Sequence, residues 1–67
     1  MKINKGIRLA IEKAGSQEKL AKLLKCNQPL ISYYLGNNPV PAKRALMIEE
    51  KTGVHRSLIR PDLWAKQ

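Results

Sequence analysis

The sequence predicts an all-α fold, a compact bundle of four to five short helices with a helix-turn-helix pair at its centre. Three observations carry this. Apolar residues recur at three- and four-residue spacing in successive stretches, whereas the period-2 alternation of strands is missing. Phe is absent and the β-branched residues are scattered. Turn formers then cut the chain into helix-length pieces at Gly15, around Lys25 to Asn27, from Gly36 to Pro41, at Gly53 and at Pro61.

The first helix is expected from about Asn4 to Ala14. Ile3, Ile7, Ile11 and Ala10, Ala14 recur every four residues and form one apolar stripe. Asn4 is a candidate cap, and Gly15 suits the left-handed stop. Ser16 caps the second helix, with Glu18 in the first turn, where the helix dipole favours negative charge. Leu20, Ala21, Leu23 and Leu24 are its expected buried side; Lys19, Lys22 and Lys25 face outward. The third helix starts near Asn27 to Pro29. Asn27 is one candidate cap. Gln28 is the other, because proline disfavours helical geometry in the residue before it. Leu30, Ile31, Tyr34 and Leu35 form its apolar side, and Gly36 ends it. Pro41 is expected as the first residue of a fourth helix that runs to about Thr52 and stops at Gly53. Ala45, Leu46 and Ile48 are its core positions, with Met47 left over as a surface methionine or a dimer contact. The tail holds one more helical turn around Ser57 to Arg60, and Trp64 folds back as a lid on the core.

The bulk numbers narrow the function. A chain of 67 residues makes one domain, spanning 1–67. A domain of this size buries only about 60% of the surface its unfolded chain exposes, so oligomerisation would help it. The single cysteine, Cys26, excludes an internal disulfide, and no Cys/His cluster has zinc-ligand spacing. The start, MKINKG, is not a signal peptide, and no stretch approaches the about 20 apolar residues that cross a bilayer. These features lead to the expectation of a soluble, cytoplasmic protein without a cofactor. Thirteen Lys and Arg against five Asp and Glu give a formal charge of +8. That excess favours a polyanionic partner, nucleic acid above all. An anionic membrane fits less well, because the cations are spread along the chain instead of lying on one amphipathic face.

Within Gln17 to Gly36, small Ala21 allows a close helix crossing, and Leu24 and Cys26 flank the turn as apolar anchors. Ile31 and Tyr34 plug back against Ala21 and Leu24. Gln28, Pro29, Ser32 and Tyr33 are left outside. They carry no charge, which suits base edges better than phosphates.

This stretch resembles the helix-turn-helix of the Cro/cI superfamily of phage and prophage repressors, and most of all its small Cro-like subgroup of YdaS-type prophage regulators. The matching residues are Gln17, Leu20-Ala21, Leu24-Lys25-Cys26, Asn27-Gln28 and Ile31-Ser32. The Val40-Pro41 helix start and the ending Leu58-Ile59-Arg60-Pro61-Asp62-Leu63-Trp64 extend the likeness over nearly the whole chain. Two positions depart from it. Lys25 stands where the family usually has a turn glycine, and a left-handed lysine costs about 1 kcal/mol relative to glycine. Pro29 stands where the family usually has a polar base reader; it offers only an apolar edge, for example to a thymine methyl.

The resemblance implies a lambda-repressor-like domain that reads the major groove of operator DNA with its third helix. Gln28 would be the main base reader, with Pro29, Ser32 and Tyr33 beside it. Gln17 would bind a phosphate and brace Gln28. Lys25, Asn27, Asn37, Asn38, Lys43 and Arg44 would hold the sugar-phosphate backbone, helped by free N–H groups at the start of the fourth helix; Lys19 and Lys22 are weaker candidates. Each has a plainer reading. Gln28 is then a solvated first-turn residue, Tyr33 a partly buried surface ring, and Lys43 and Arg44 solvated charges. His55 is read as a cap or surface residue, since no acid or nucleophile is spaced to work with it. The expected partners are double-stranded DNA and a second copy in a weak homodimer. Met47, Leu58, Leu63 and Trp64 are the candidate dimer surface, and no small-molecule ligand is expected. A protein-binding, antitoxin-like module is the competing function. An enzyme is disfavoured, because no catalytic pair is spaced for one.

Overall fold

The computed structural model describes residues 2–64; Met1 and the last three residues of the 1–67 domain lie outside the described residues. Five helices follow in order: α1 (Lys5–Ala14), α2 (Gln17–Leu23), α3 (Gln28–Leu35), α4 (Ala42–Thr52) and α5 (Arg56–Ile59). Among the described residues there is no strand. The all-α expectation holds, with five helices.

Capping sets the boundaries. Asn4 Oδ1 accepts the Ile7 N–H at 3.1 Å, and Ser16 Oγ accepts the Lys19 N–H at 3.1 Å. Gly15 (φ 111°) and Gly53 (φ 80°) occupy conformations that L side chains rarely adopt, so the chain can reverse after α1 and α4. Pro41 is the N-cap of α4, not its first helical residue, and its side chain makes no capping bond. His55 caps α5, with Nδ1 accepting the Ser57 N–H at 3.1 Å. That matches its expected capping role.

The core is formed by Ile7, Ala10, Leu20, Ala21, Leu24, Ile31, Tyr34, Val40, Ala45, Ile48, Val54 and Ile59. Every helix supplies at least one of these residues. Ile11, Ala14, Cys26, Leu30, Leu35, Met47 and Trp64 pack around them, half-buried. Trp64 thus does cover the core, and the Arg56 guanidinium sits 5.4 Å from its ring centroid.

Three expected core residues are exposed: Ile3, Leu23 and Leu46. Ile3 precedes the extended Asn4 cap, so helical spacing does not carry the α1 stripe back to it. Leu23 lies about 100° round the helix from the middle of the Leu20, Ala21, Leu24 stripe. Leu46 and Met47 exchange their expected places. Met47 turns to the flank of α4 that shares a shallow hollow with Leu24, whereas Leu46 is on the opposite flank, in water.

Two long-range ties close the bundle. Asn4 is buried; its N–H donates to Leu35 O at 3.0 Å and its Nδ2 to Ile59 O at 3.1 Å. Gly6 lets α1 approach α5 closely, because a Cβ there would lie 2.6 Å from the Leu58 carbonyl carbon and 2.7 Å from Ile59 N.

Candidate nucleic-acid interface

The turn between α2 and α3 fixes the relation of the two helices. Lys25 is left-handed at φ 57°. Its N–H donates to Lys22 O at 3.2 Å, and the Cys26 N–H donates to Ala21 O at 2.9 Å. This pair of bonds is a Schellman closure with lysine in the usual glycine position. The left-handed lysine expected from the sequence is therefore present. Cys26 is half-buried against the core, as an apolar anchor of the turn.

Asn27, and not Gln28, caps α3: its Oδ1 accepts the Leu30 N–H at 3.1 Å. Pro29 sits in the first turn, where its missing N–H has no helical partner to lose. At about 100° per residue, Ile31 and Tyr34 fall on one side and Gln28, Pro29, Ser32 and Tyr33 on the other. The structure agrees: Ile31 and Tyr34 are buried, and the other four are exposed. Tyr33, 54% exposed, is flanked by the Tyr34 ring at a centroid distance of 6.1 Å. The solvent face of α3 is thus a ridge of hydrogen-bonding and apolar groups without a charge.

Gln17, at the start of α2, reaches this ridge. Its Oε1 accepts the Ser32 hydroxyl at 3.2 Å. The residue braced by Gln17 is therefore Ser32, whereas the family resemblance implied Gln28. The crossing of α2 over the middle of α3 brings Gln17 beside Ser32, one turn beyond the cap.

Gly36 is the C-cap of α3, so the helix ends where expected. Gly36 has φ −73°, and the left-handed residue is Asn37 at φ 67°. The Asn37 N–H bonds Tyr34 O at 3.0 Å, and Asn38 Nδ2 bonds Tyr33 O at 2.8 Å. A side-chain amide closes the helix where a backbone N–H commonly does. Of the expected phosphate-binding residues, Lys25, Asn27, Asn37 and Lys43 are exposed and Gln17, Asn38 and Arg44 half-buried. Asn27, Asn38 and Arg44 also serve the fold. Arg44 Nη1 donates to Leu24 O at 3.2 Å, capping the carbonyl end of α2.

Arg60 was not singled out as a site residue, yet it holds the loop that carries Asn37 and Asn38. Its Nη1 donates to Val40 O, and its Nε and Nη2 bond Asp62 at 2.9 and 2.7 Å. The hydrogen bonds from Arg60 hold the Asp62 carboxyl below the usual carboxylate range, and Asp62 raises the Arg60 guanidinium in turn. The Arg-x-Asp spacing in the tail was the available signal; the reach to Val40, twenty residues away, had none.

Among the described residues, no group of His, Cys, Asp or Glu is placed to share a metal ion, and no helix is long and apolar enough to cross a membrane. What the fold and site define is a small all-helical domain whose central two-helix corner presents an uncharged ridge. Residues 7–67 match the family described as bacterial toxin YdaS. The chain belongs to that family. No curated protein and no solved structure matches it.

Proposed function

We propose that this protein is a sequence-specific DNA-binding transcriptional repressor of Cro type that lays α3 in the major groove of an operator. The observation that carries the reading is the uncharged solvent face of α3, Gln28, Pro29, Ser32 and Tyr33, on a chain of net charge +8. Base edges offer amide-sized donors and acceptors and thymine methyls, and such groups match this ridge. Gln28, at the end of α3 nearest the turn, pairs with adenine through N6 and N7. Pro29 lies against a methyl, and Tyr33 reaches a base or a phosphate. Gln17 Nε2, Lys25, Asn27, Asn37, Asn38, Lys43 and Arg44 hold the backbone on either side; the residues already bonded within the fold keep further donors for it.

A domain this small holds one half-site weakly, so two copies bind half-sites about 34 Å apart. Exposed Leu58 and Leu63 remain as the dimer surface, since Met47 and Trp64 are half-buried against the core. The protein acts on DNA in the bacterial cytoplasm, as a binding protein and not an enzyme, without a small-molecule ligand.

The family description names a toxin, which fits a toxin-antitoxin-like setting; the second reading is an antitoxin-like module that acts through a protein partner. Selection of bound sites from random duplex DNA separates the two. The repressor reading expects a recovered inverted repeat with half-sites one helical turn apart. Enrichment of no sequence would sink it and leave the protein-partner reading.

A further inference from the structure

A serine hydroxyl has one proton and two lone pairs, and it ordinarily turns to donate or accept as its neighbour requires. Ser32 has a partner for its proton within reach. Its proton is directed at Gln17 Oε1, 3.2 Å away, while the side chain stays exposed on the ridge of α3. With that bond made, Oγ offers lone pairs outward.

We infer that Gln17 is a specificity-setting positioning residue: by holding the Ser32 proton it makes Ser32 an acceptor-only reader, which selects an exocyclic amino group, adenine N6 or cytosine N4. This rests on the proposal that α3 reads the major groove, and it names the chemistry read at one position. Guanine O6 and N7 and thymine O4 are acceptors. Facing Ser32, each would bring lone pairs against lone pairs. Adenine N6 and cytosine N4 instead supply the missing proton.

The orientation of the Gln17 amide supports the assignment. A phosphate on Nε2 and the Ser32 hydroxyl on Oε1 both favour the same amide orientation. The flipped amide would turn its oxygen toward the phosphate and an N–H toward Ser32, freeing the serine proton. The two helices are pinned by Ala21 and Leu24 against Ile31, all buried, so Gln17 and Ser32 keep their register without help from DNA. Backbone clamping and base reading are thereby joined in one side chain.

The test is selection from random duplex DNA with the wild-type protein, Ser32→Ala, Gln17→Met and Gln17→Glu, each checked for helix content and cooperative unfolding. The wild type is expected to prefer adenine or cytosine by about tenfold at one position, the size of a single well-made hydrogen bond. Ser32→Ala and Gln17→Met should lose that preference to within about twofold and keep the others. Gln17→Glu retains an acceptor for the serine proton. It should keep the amino-base preference while binding all DNA more weakly, because a carboxylate faces the phosphate. A guanine or thymine preference that Ser32→Ala abolishes would overturn the inference, as would a Gln17→Met profile identical to wild type. Ser32→Ala decides the first point even if Gln17→Met fails to fold. No preference at any position would instead remove the groove-reading proposal, and this inference with it.

Discussion

Helices α1 and α3 bury the same kind of face and present opposite kinds of surface. Each places an isoleucine with no exposure, Ile7 and Ile31, in the same core. On the outer side of α1 stand Lys5, Arg8, Glu12 and Lys13, with Arg8 and Glu12 paired at 3.8 Å and both side chains more than 60% exposed. The outer side of α3 has Gln28, Pro29, Ser32 and Tyr33, and no charge. Charged groups are costly to take out of water, whereas amides, hydroxyls and rings lose less on desolvation when a partner replaces the water. The inner faces decide where the two helices lie. The outer faces differ in what covering them would cost, more for α1 and less for α3.

That contrast is open to direct attack. The largest effect is expected at the buried side of α1. Gly6→Ala drives a methyl into the backbone of α5 and should cost about 3 kcal/mol of stability, read by urea unfolding. Any fraction still folded should select the same DNA. On α3 the separation reverses: Gln28→Ala should leave the unfolding midpoint in place, yet cost about 1–3 kcal/mol at the operator and relax base choice at one position. An unchanged preference would remove Gln28 as the reader. Lys25→Gly, in the turn that aims α3, should raise stability by about 1 kcal/mol by relieving the left-handed strain. It should also flatten the salt dependence of binding, if Lys25 lies at a phosphate. Lys43→Ala should lower affinity for every sequence alike and reduce the salt slope by about one charge; titrations at several salt concentrations decide it. Smallest of all is Arg8→Ala, which breaks an exposed ion pair on α1 and should change stability by under about 0.5 kcal/mol and binding specificity not at all. A large loss of specificity there would mean that α1 also meets the DNA.

Local chemistry was the legible part of this chain. Asn4 and Ser16 as caps and Gly15 and Gly53 as stops follow from interactions within about four residues. Those interactions left Asn27 and Gln28 both open as the cap of α3, whereas the left-handed Lys25 came from the family resemblance. The solvent face of α3 was legible for the same reason, because spacing alone separates it from Ile31 and Tyr34. Periodicity fails where adjacent positions are both apolar. Leu46 and Met47 are each acceptable in a core, and only the placement of α4 beside Leu24 chooses between them. It also fails outside helices: Val40, in a proline-flanked loop, is fully buried. Bonds that span the fold left little trace. Gln17 to Ser32 crosses fifteen residues, and Arg60 to Val40 crosses twenty. Their partners are set by how helices cross, which no local pattern encodes.

The double tie of Asn4, to Leu35 and to Ile59, makes the end of α3 and the last helix meet at one buried residue. The link between α4 and α5 sets exposed Gly53 and His55 around buried Val54. Loss of the segment that carries Ile59 would leave the buried Asn4 amide without its acceptor. Damage at one end of the sequence is thereby felt at the other.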